Sequence, residues 1–329
     1  MDAVILAGGL GTRMRPLTLH RPKPLLPLVG EPMVDRLVRS LPREVGRVVL
    51  AVNYMADAMR AHFRLADLGV RVEVVEEAEP LGTGGAFRNA FERLGSELFI
   101  GLNGDVVASF DLGAMLAAHR AHGGAGTIAV WPVKDPSAFG VVELDARGRI
   151  VGFREKPPKG TARSDLINAG AYVLHTDILD LLVKGKPSSI ERDVFPRVLD
   201  RGLHGFRFEG FWVDAGTPLD YLRAHRELLS HDPPPSRRGM SADPTARVVE
   251  PSYIADDVRL GASCEVGPFA ALGEGCVVAE GARVSESVLL PRARVGARAR
   301  VARSVLGEGA EVGAEASLDG SVLGDGARA

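Results

Sequence analysis

The sequence predicts an α/β domain with a mixed, mainly parallel sheet, followed by a parallel β-helix of six-residue repeats. Three observations carry that prediction. From Met1 to about Ser230, short β-branched runs alternate with helix-like segments. A stretch with three consecutive prolines, from His231 to Met240, then breaks the rhythm. Beyond it the helical spacing vanishes and an apolar residue returns at every sixth position. The expected division is therefore a domain over 1–230, a Pro-rich linker over 231–244 and a β-helix over 245–329.

The first element is the apolar run Ala3 to Ala7, read as a buried strand. Arg47–Val52, Val70–Val75 and Glu97–Leu102 read as further strands. Met33–Leu41, Met55–Phe63 and Gly84–Leu94 read as the helices between them. Asp111–His122 continues the helical pattern. After Gly126 the chain becomes strand-rich, with Phe139–Glu143, Arg149–Arg154 and Ala169–Leu174. These predict a layer beside the main sheet, suited to a second substrate. Asp177–Val183, Glu191–Leu199 and Pro218–Leu229 read as helices. In open α/β sheets ligands bind outside the carboxyl ends of the strands. Gly8 to Lys23, Glu76 to Thr83 and Asn103 to Asp105 all follow strands and are expected to converge there.

In the repeats, Ile254, Leu260, Val266, Leu272, Val278, Val284 and Leu290 are spaced by six. The count slips by one at Val295 and continues through Val301, Leu306, Val312, Leu318 and Leu323. Cys264 and Cys276 hold equivalent repeat positions two hexads apart, on different faces of a three-sided coil, and are expected as free thiols. Two cysteines in all give neither a disulfide framework nor a zinc site. Arg292, Arg294, Arg298, Arg300 and Arg303 form an acid-free run, expected on the outward faces. No obvious cap closes the coil before Ala329, so self-association through the β-helix into a homo-oligomer is expected.

Composition excludes several classes. A net charge of −2 creates no global field for nucleic acid or membrane. No apolar run reaches membrane-spanning length, and no signal-peptide layout opens the chain. The expected location is the cytoplasm.

The chemistry is concentrated in Gly8-Gly-Leu-Gly-Thr-Arg-Met-Arg-Pro-Leu-Thr-Leu-His-Arg-Pro-Lys23. Two adjacent glycines let the backbone turn close to a ligand. From Ala3 to Gly30 there is no acidic residue, while Arg13, Arg15, Arg21 and Lys23 lie in that window. A Gly-rich turn leaving a strand, with backbone N–H groups and fixed cations, suits a polyphosphate. It is neither a P-loop, since G-x-x-x-x-G-K-[ST] is missing, nor a dinucleotide fingerprint, since Met14 stands where the third glycine belongs.

This loop, with Pro22-Lys-Pro-Leu-Leu-Pro-Leu-Val-Gly30 after it, resembles the signature of the sugar-1-phosphate nucleotidylyltransferases. The resemblance implies a Rossmann-like first domain and a left-handed hand for the β-helix. It also implies an activity: a sugar 1-phosphate oxygen attacks the α-phosphorus of an NTP and expels pyrophosphate. Leu6, Ala7, Gly8, Gly9, Gly11 and Thr12 would hold the nucleotide, the glycines and Thr12 donating to the triphosphate. Arg13 would neutralise the departing phosphates, and Lys23 the charge at the α-phosphorus. Asp105 in Leu102-Asn-Gly-Asp105 and Asp214 in Gly210-Phe-Trp-Val-Asp-Ala-Gly-Thr217 would hold Mg²⁺, which favours hard carboxylate oxygens.

Glu76 to Ala86 resembles the base-binding segment, implying Glu77, Gly82 and Thr83 as nucleotide contacts. Relatives that use uracil or thymine usually carry Gln at the position of Glu77. Guanine presents two adjacent donors, and a carboxylate is acceptor-only. This favours GTP, although a carboxylate also accepts the single N3–H of uracil. On the sugar side the resemblance covers Phe139-Gly140-Val141, Glu155-Lys156-Pro157 and Asn168-Ala-Gly170. It implies Gly140, Glu155, Lys156 and Asn168 as contacts of the sugar phosphate.

Overall the chain looks most like members that make GDP-mannose. GDP-heptose and UDP- or dTDP-glucose synthesis are the near alternatives, because Thr217 departs from the Gln of many mannose enzymes. Acyl transfer in the repeats lacks a base, since the last histidine is His231. A non-catalytic subunit is disfavoured by the retained Arg13, Lys23, Asp105 and Asp214.

Overall fold

The run Ala3-Val-Ile becomes a strand with no exposed side chain, flanked on both edges by parallel neighbours. A computed structural model describes residues 1–231 and 240–329. Most of the expected linker, residues 232–239, lies outside the described residues. The chain folds as two compact units, Met1–Leu10 with Val34–Trp212, and Gly11–Met33 with Val213–Ala329.

In the first unit the elements are β1 (Asp2–Leu6), α1 (Met33–Arg39), β2 (Arg47–Val52), α2 (Ala56–Leu65) and β3 (Arg71–Glu76). Then come α3 (Gly82–Ala90), β4 (Leu98–Asn103), α4 (Leu112–His122) and β5 (Gly126–Pro132). They are followed by β6 (Gly140–Leu144), β7 (Ile150–Glu155), β8 (Leu166–His175) and β9 (Leu203–Arg207). Nine strands form one sheet in the order β7-β6-β8-β4-β1-β2-β3, with β5 pairing both β8 and β9. The run β4-β1-β2-β3 is parallel, whereas β8 is antiparallel to β4, β5 and β6. The strand-rich segment therefore does not build a separate layer. It extends the main sheet, because β8 takes the free edge of β4.

Helix α4 starts where Asp111 Oδ1 accepts the Ala114 N–H at 2.8 Å, a cap typically worth about 1 kcal/mol. The core is aromatic at its centre. Phe87 of α3 lies with ring centroids 5.6 Å from Phe99 and 6.1 Å from Tyr172, all fully buried. Two expected helices are only short turns. Thr176–Leu181 is a 3₁₀ segment, and Ile190–Val194 is a single π-helical turn that runs into a 3₁₀ turn over Phe195–Arg197. Their apolar residues match helical spacing because they anchor irregular chain to the same core.

In the second unit, three parallel five-stranded sheets make the β-helix, one short strand per side per turn. The inward residues stack in register as Ile254, Leu272, Leu289, Leu306, Leu323 on one side and Leu260, Val278, Val295, Val312 on the next. Val266, Val284, Val301 and Leu318 complete the third. Each buried Val or Leu contributes about 1.5–3 kcal/mol. The slip in the count falls at Leu289, one position before the expected Leu290, and both leucines are buried. Cys264 and Cys276 are free and fully buried. Burial raises the Cys276 thiol to about 12, so it is inert at neutral pH. The arginine run faces outward, and three of its five members pair with the next turn: Arg292 with Glu308, Arg298 with Glu315 at 2.6 Å, and Arg303 with Asp319. Helix α5 (Pro218–His231) and the segment Gly11–Met33 belong to this unit. No helix among the described residues is long and apolar enough to cross a membrane.

Candidate active site

The carboxyl ends of β4, β1, β2 and β3 lie side by side, and the sequence places chemistry at each. After β1, the Ala7 N–H donates to the Ala51 carbonyl of β2 at 2.8 Å. Leu6 ends β1 half-buried, Gly8 is half-buried and Gly9 exposed. Beside them, the Gly104 N–H donates to the Leu6 carbonyl at 2.9 Å. A Cβ on Gly104 would lie 2.5 Å from that oxygen, so only glycine allows the turn that presents the half-buried Asp105.

Glu77 follows β3 on the other flank. Its N–H donates to the Val52 carbonyl at 2.8 Å, and Asn53 Nδ2 donates to the Glu77 carbonyl at 3.0 Å. Gly8 packs against Asn53, where a Cβ would stand 3.2 Å from the backbone nitrogen. The Glu77 residue is only 5% exposed. One oxygen, Oε2, accepts the Leu81 N–H at 3.3 Å, while Oε1 is buried with no hydrogen-bond partner among the described residues. Burial pushes the carboxyl above its ordinary pKa, and the Leu81 N–H opposes that only in part. A buried acceptor without a donor is costly and marks a place where a ligand can supply one.

Gly82 is exposed at the start of α3, and Thr83 stands one residue on. The Thr83 hydroxyl donates to Glu191 Oε2 at 2.6 Å, and Ser189 Oγ donates to the same oxygen at 2.6 Å. Glu191 is a buried carboxylate that sequence reading assigned to the start of a helix. Its charge also acts on Glu155, whose carboxyl is raised above its ordinary pKa first by burial and then by Glu191.

The sugar-side residues also come together. Glu155 of β7 pairs in register with Gly140 of β6, and Ile167, next to Asn168, pairs with Val141. A Cβ on Gly140 would lie 2.8 Å from Glu155 Oε2. Lys156 is exposed, its ammonium 3.8 Å from Glu155 Oε1. Asn168 turns the chain by accepting the Gly170 N–H at 3.0 Å and donates to the Tyr172 hydroxyl at 2.8 Å. Tyr172 and Asn53, which the sequence did not single out, thus hold expected site residues in place.

The second unit carries the other half of the signature. Gly11 has a φ of 61°, the left-handed conformation that favours glycine, and its carbonyl accepts the Thr18 hydroxyl at 2.8 Å. Thr12 and Arg13 are exposed, and Lys23 is buried at 7% exposure beside Gly11. Arg13 and Asp214 meet over Gly216, where a Cβ would lie 2.5 Å from the guanidinium and 3.0 Å from Asp214 Oδ1. No group of three or more His, Cys, Asp or Glu among the described residues is arranged to cage a metal. Asp105 in the first unit and Asp214 in the second are carboxylates of the hard-oxygen kind that Mg²⁺ takes, one or two at a time with phosphate and water.

The Nucleotidyl transferase family matches residues 2–231, and the GMPPB C-terminal domain family matches residues 248–329. A probable mannose-1-phosphate guanylyltransferase 3 of Oryza sativa is 38% identical over 307 residues, covering 90% of this chain and 82% of that protein. The mannose-1-phosphate guanylyltransferase of Mycobacterium tuberculosis is 36% identical over 305 residues, covering 89% of this chain and 83% of that protein. Among solved structures, HddC from Yersinia pseudotuberculosis is 30% identical with a TM-score of 0.58. It covers 69% of this chain and 99% of its own, and has also been solved complexed with GMP-PN. With a family match over residues 2–231 and relatives 36–38% identical over about nine tenths of its length, this chain belongs to the nucleotidyl transferase family and is a nucleotidyltransferase enzyme.

Proposed function

We propose that the enzyme transfers GMP from GTP to mannose 1-phosphate, giving GDP-mannose and pyrophosphate. The observation that carries the base is Glu77, a buried carboxylate with one oxygen unpartnered. Guanine N1–H and its 2-amino group are two adjacent donors that such a carboxylate can accept together. They replace the water lost on burial and favour the charged form that burial disfavours. The names of the relatives support mannose 1-phosphate as the acceptor.

In this reading the Leu6–Thr12 backbone and Arg13 receive the triphosphate. Lys23 faces the α-phosphorus. Gly140, Glu155, Lys156 and Asn168 hold the sugar phosphate, with Lys156 on the phosphate and the two polar groups on hydroxyls. A phosphate oxygen of the sugar forms a bond to the α-phosphorus as the bond to the bridging oxygen breaks in line, and pyrophosphate leaves with that electron pair. No side-chain nucleophile is required, because phosphoryl-type transfer depends on positioning and charge neutralisation. Asp105 and Asp214 would hold Mg²⁺, which supplies charge neutralisation at the phosphates when bound. A homo-oligomer joined through the β-helix completes the proposal, and light scattering of the purified protein checks it.

The test is pyrophosphate release, crossing GTP, UTP, dTTP and ATP against mannose, glucose and heptose 1-phosphates. Turnover confined to GTP and best with mannose 1-phosphate is expected. Turnover with a pyrimidine nucleotide alone would overturn the base assignment and keep the reaction. Absence of turnover with every pair would overturn the catalytic reading.

A further inference from the structure

The signature window holds four cations, and the simplest reading gives all of them to phosphate. The structure separates them. Arg13 and Arg15 are exposed. Arg21 is directed instead to the β-helix, where its guanidinium pairs with Glu308 Oε2 and lies 3.6 Å from Asp325 Oδ2. Its side chain keeps 19% of its exposure.

The two carboxylates are themselves held. Glu308 Oε1 receives Arg292 from the preceding turn of the coil. The Glu308 N–H donates to Asp325 Oδ1 at 2.8 Å. Pro16 lies against Gly324, where a Cβ would stand 3.1 Å from the proline ring. Further along, the Tyr221 hydroxyl donates to the Pro27 carbonyl, and Gly30 is pressed against the Tyr253 ring. The segment is thus held at one end by the neighbouring turns that carry Glu308 and Asp325 and at the other by Tyr253 and by Tyr221 of α5, with Arg21 as its charged anchor. Lys23 stands two residues beyond Arg21.

We propose that Arg21 is a positioning residue, whose ion pairs to Glu308 and Asp325 hold Arg13 and Lys23 in place, and that it does not bind phosphate. The β-helix then contributes to the reaction rate through this anchor. The proposal rests on the roles proposed above for Arg13 and Lys23, and not on which base or sugar is used.

The test is a mutant cycle in the full-length enzyme, assayed with whichever substrate pair the unmodified protein turns over best. Arg21→Ala should lower kcat about tenfold and leave the KM for the nucleotide within about twofold, because the loss is of positioning. Glu308→Gln with Asp325→Asn should reproduce that loss. All three changes together should be no worse than either set, since coupled residues are non-additive. Arg21→Lys should recover most of the activity. Hydrogen exchange provides a readout without turnover: in Arg21→Ala the amides of residues 17–26 should exchange faster, while those of the coil over 259–284 keep their protection. If Arg21→Ala does not fold, Arg21→Gln takes its place.

Full kcat in the Glu308/Asp325 variant, with a raised nucleotide KM in Arg21→Ala, would make Arg21 a phosphate ligand and overturn the proposal. Losses that multiply in the triple variant would overturn it too.

Discussion

Replacing His119 with phenylalanine should flatten the acid limb of the stability curve. His119 of α4 is 3% exposed and sits in a cluster of four histidines. Its Nδ1 is 2.9 Å from the Thr127 hydroxyl, and its ring centroid is 5.6 Å from those of both His122 and His175. His122 stacks on His204 at 3.7 Å. Burial first, then His122, His175, His204 and Arg120, lower the His119 pKa from 6.5 to about 4. Arg149 and Asp145 act on the cluster through His204 with opposite signs.

The folded pKa lies below the unfolded one. Between about pH 4 and 6.5 the unfolded chain therefore holds a proton that the folded chain does not. Stability is complete above pH 6.5 and falls by about 1.4 kcal/mol per pH unit below it. From pH 7 to 4.5 the loss attributable to this group is about 2.5 kcal/mol. Phenylalanine cannot bind the proton, and Thr127 keeps His122 as a partner at 3.3 Å. Urea unfolding of both proteins at half-unit steps measures the difference directly. The two curves should converge by about 2.5 kcal/mol over that range. Parallel curves, with a difference that stays constant to about 0.5 kcal/mol, would refute the account of the cluster.

Two further substitutions follow from the site, with Gly46→Ala as a control for the first. Gly104→Ala forces a Cβ toward the Leu6 carbonyl and should cost about a hundredfold in kcat by displacing Asp105. Gly46→Ala, where nothing lies within 4 Å, should leave kcat unchanged in the same assay. Glu77→Gln should raise the unfolding midpoint of the ligand-free protein at pH 8. The raised pKa means that Glu77 favours folding below about pH 4.5 and loses that contribution as it ionises, so the gain should vanish at pH 4.

Much of this fold is legible in the sequence for simple reasons. A parallel strand buried on both faces must read as a continuous apolar run, as Ala3–Ala7 does. A coil with one inward residue per side must repeat its apolar position. The slip at Leu289 was misplaced because Leu290 beside it is also a buried leucine, and residue type cannot order the two. The turns around Ile178 and Pro196 read as helices because core anchors in irregular chain can imitate a 3.6 period.

The strand-end turns are legible where backbone and spacing define them, as after Ala3–Ala7 and at Asn103–Asp105. The site is not legible where burial decides. Glu76, Glu77 and Glu79 are alike in sequence, yet only Glu77 is buried. The partners of Arg21 lie nearly the whole chain away. Those of Arg292, Arg298 and Arg303 lie one turn of the coil on, a distance that a linear reading of an acid-free run does not see.

The most direct test of the central claim compares GTP with inosine triphosphate, which lacks only the 2-amino group. One donor to a charged acceptor is worth about 1.5–3 kcal/mol. The enzyme should therefore prefer GTP by about 10- to 100-fold in kcat/KM, and Glu77→Gln should reduce that preference to less than about threefold. Equal use of the two nucleotides by the unmodified enzyme, or a preference that survives Glu77→Gln, would contradict the assignment of guanine to Glu77.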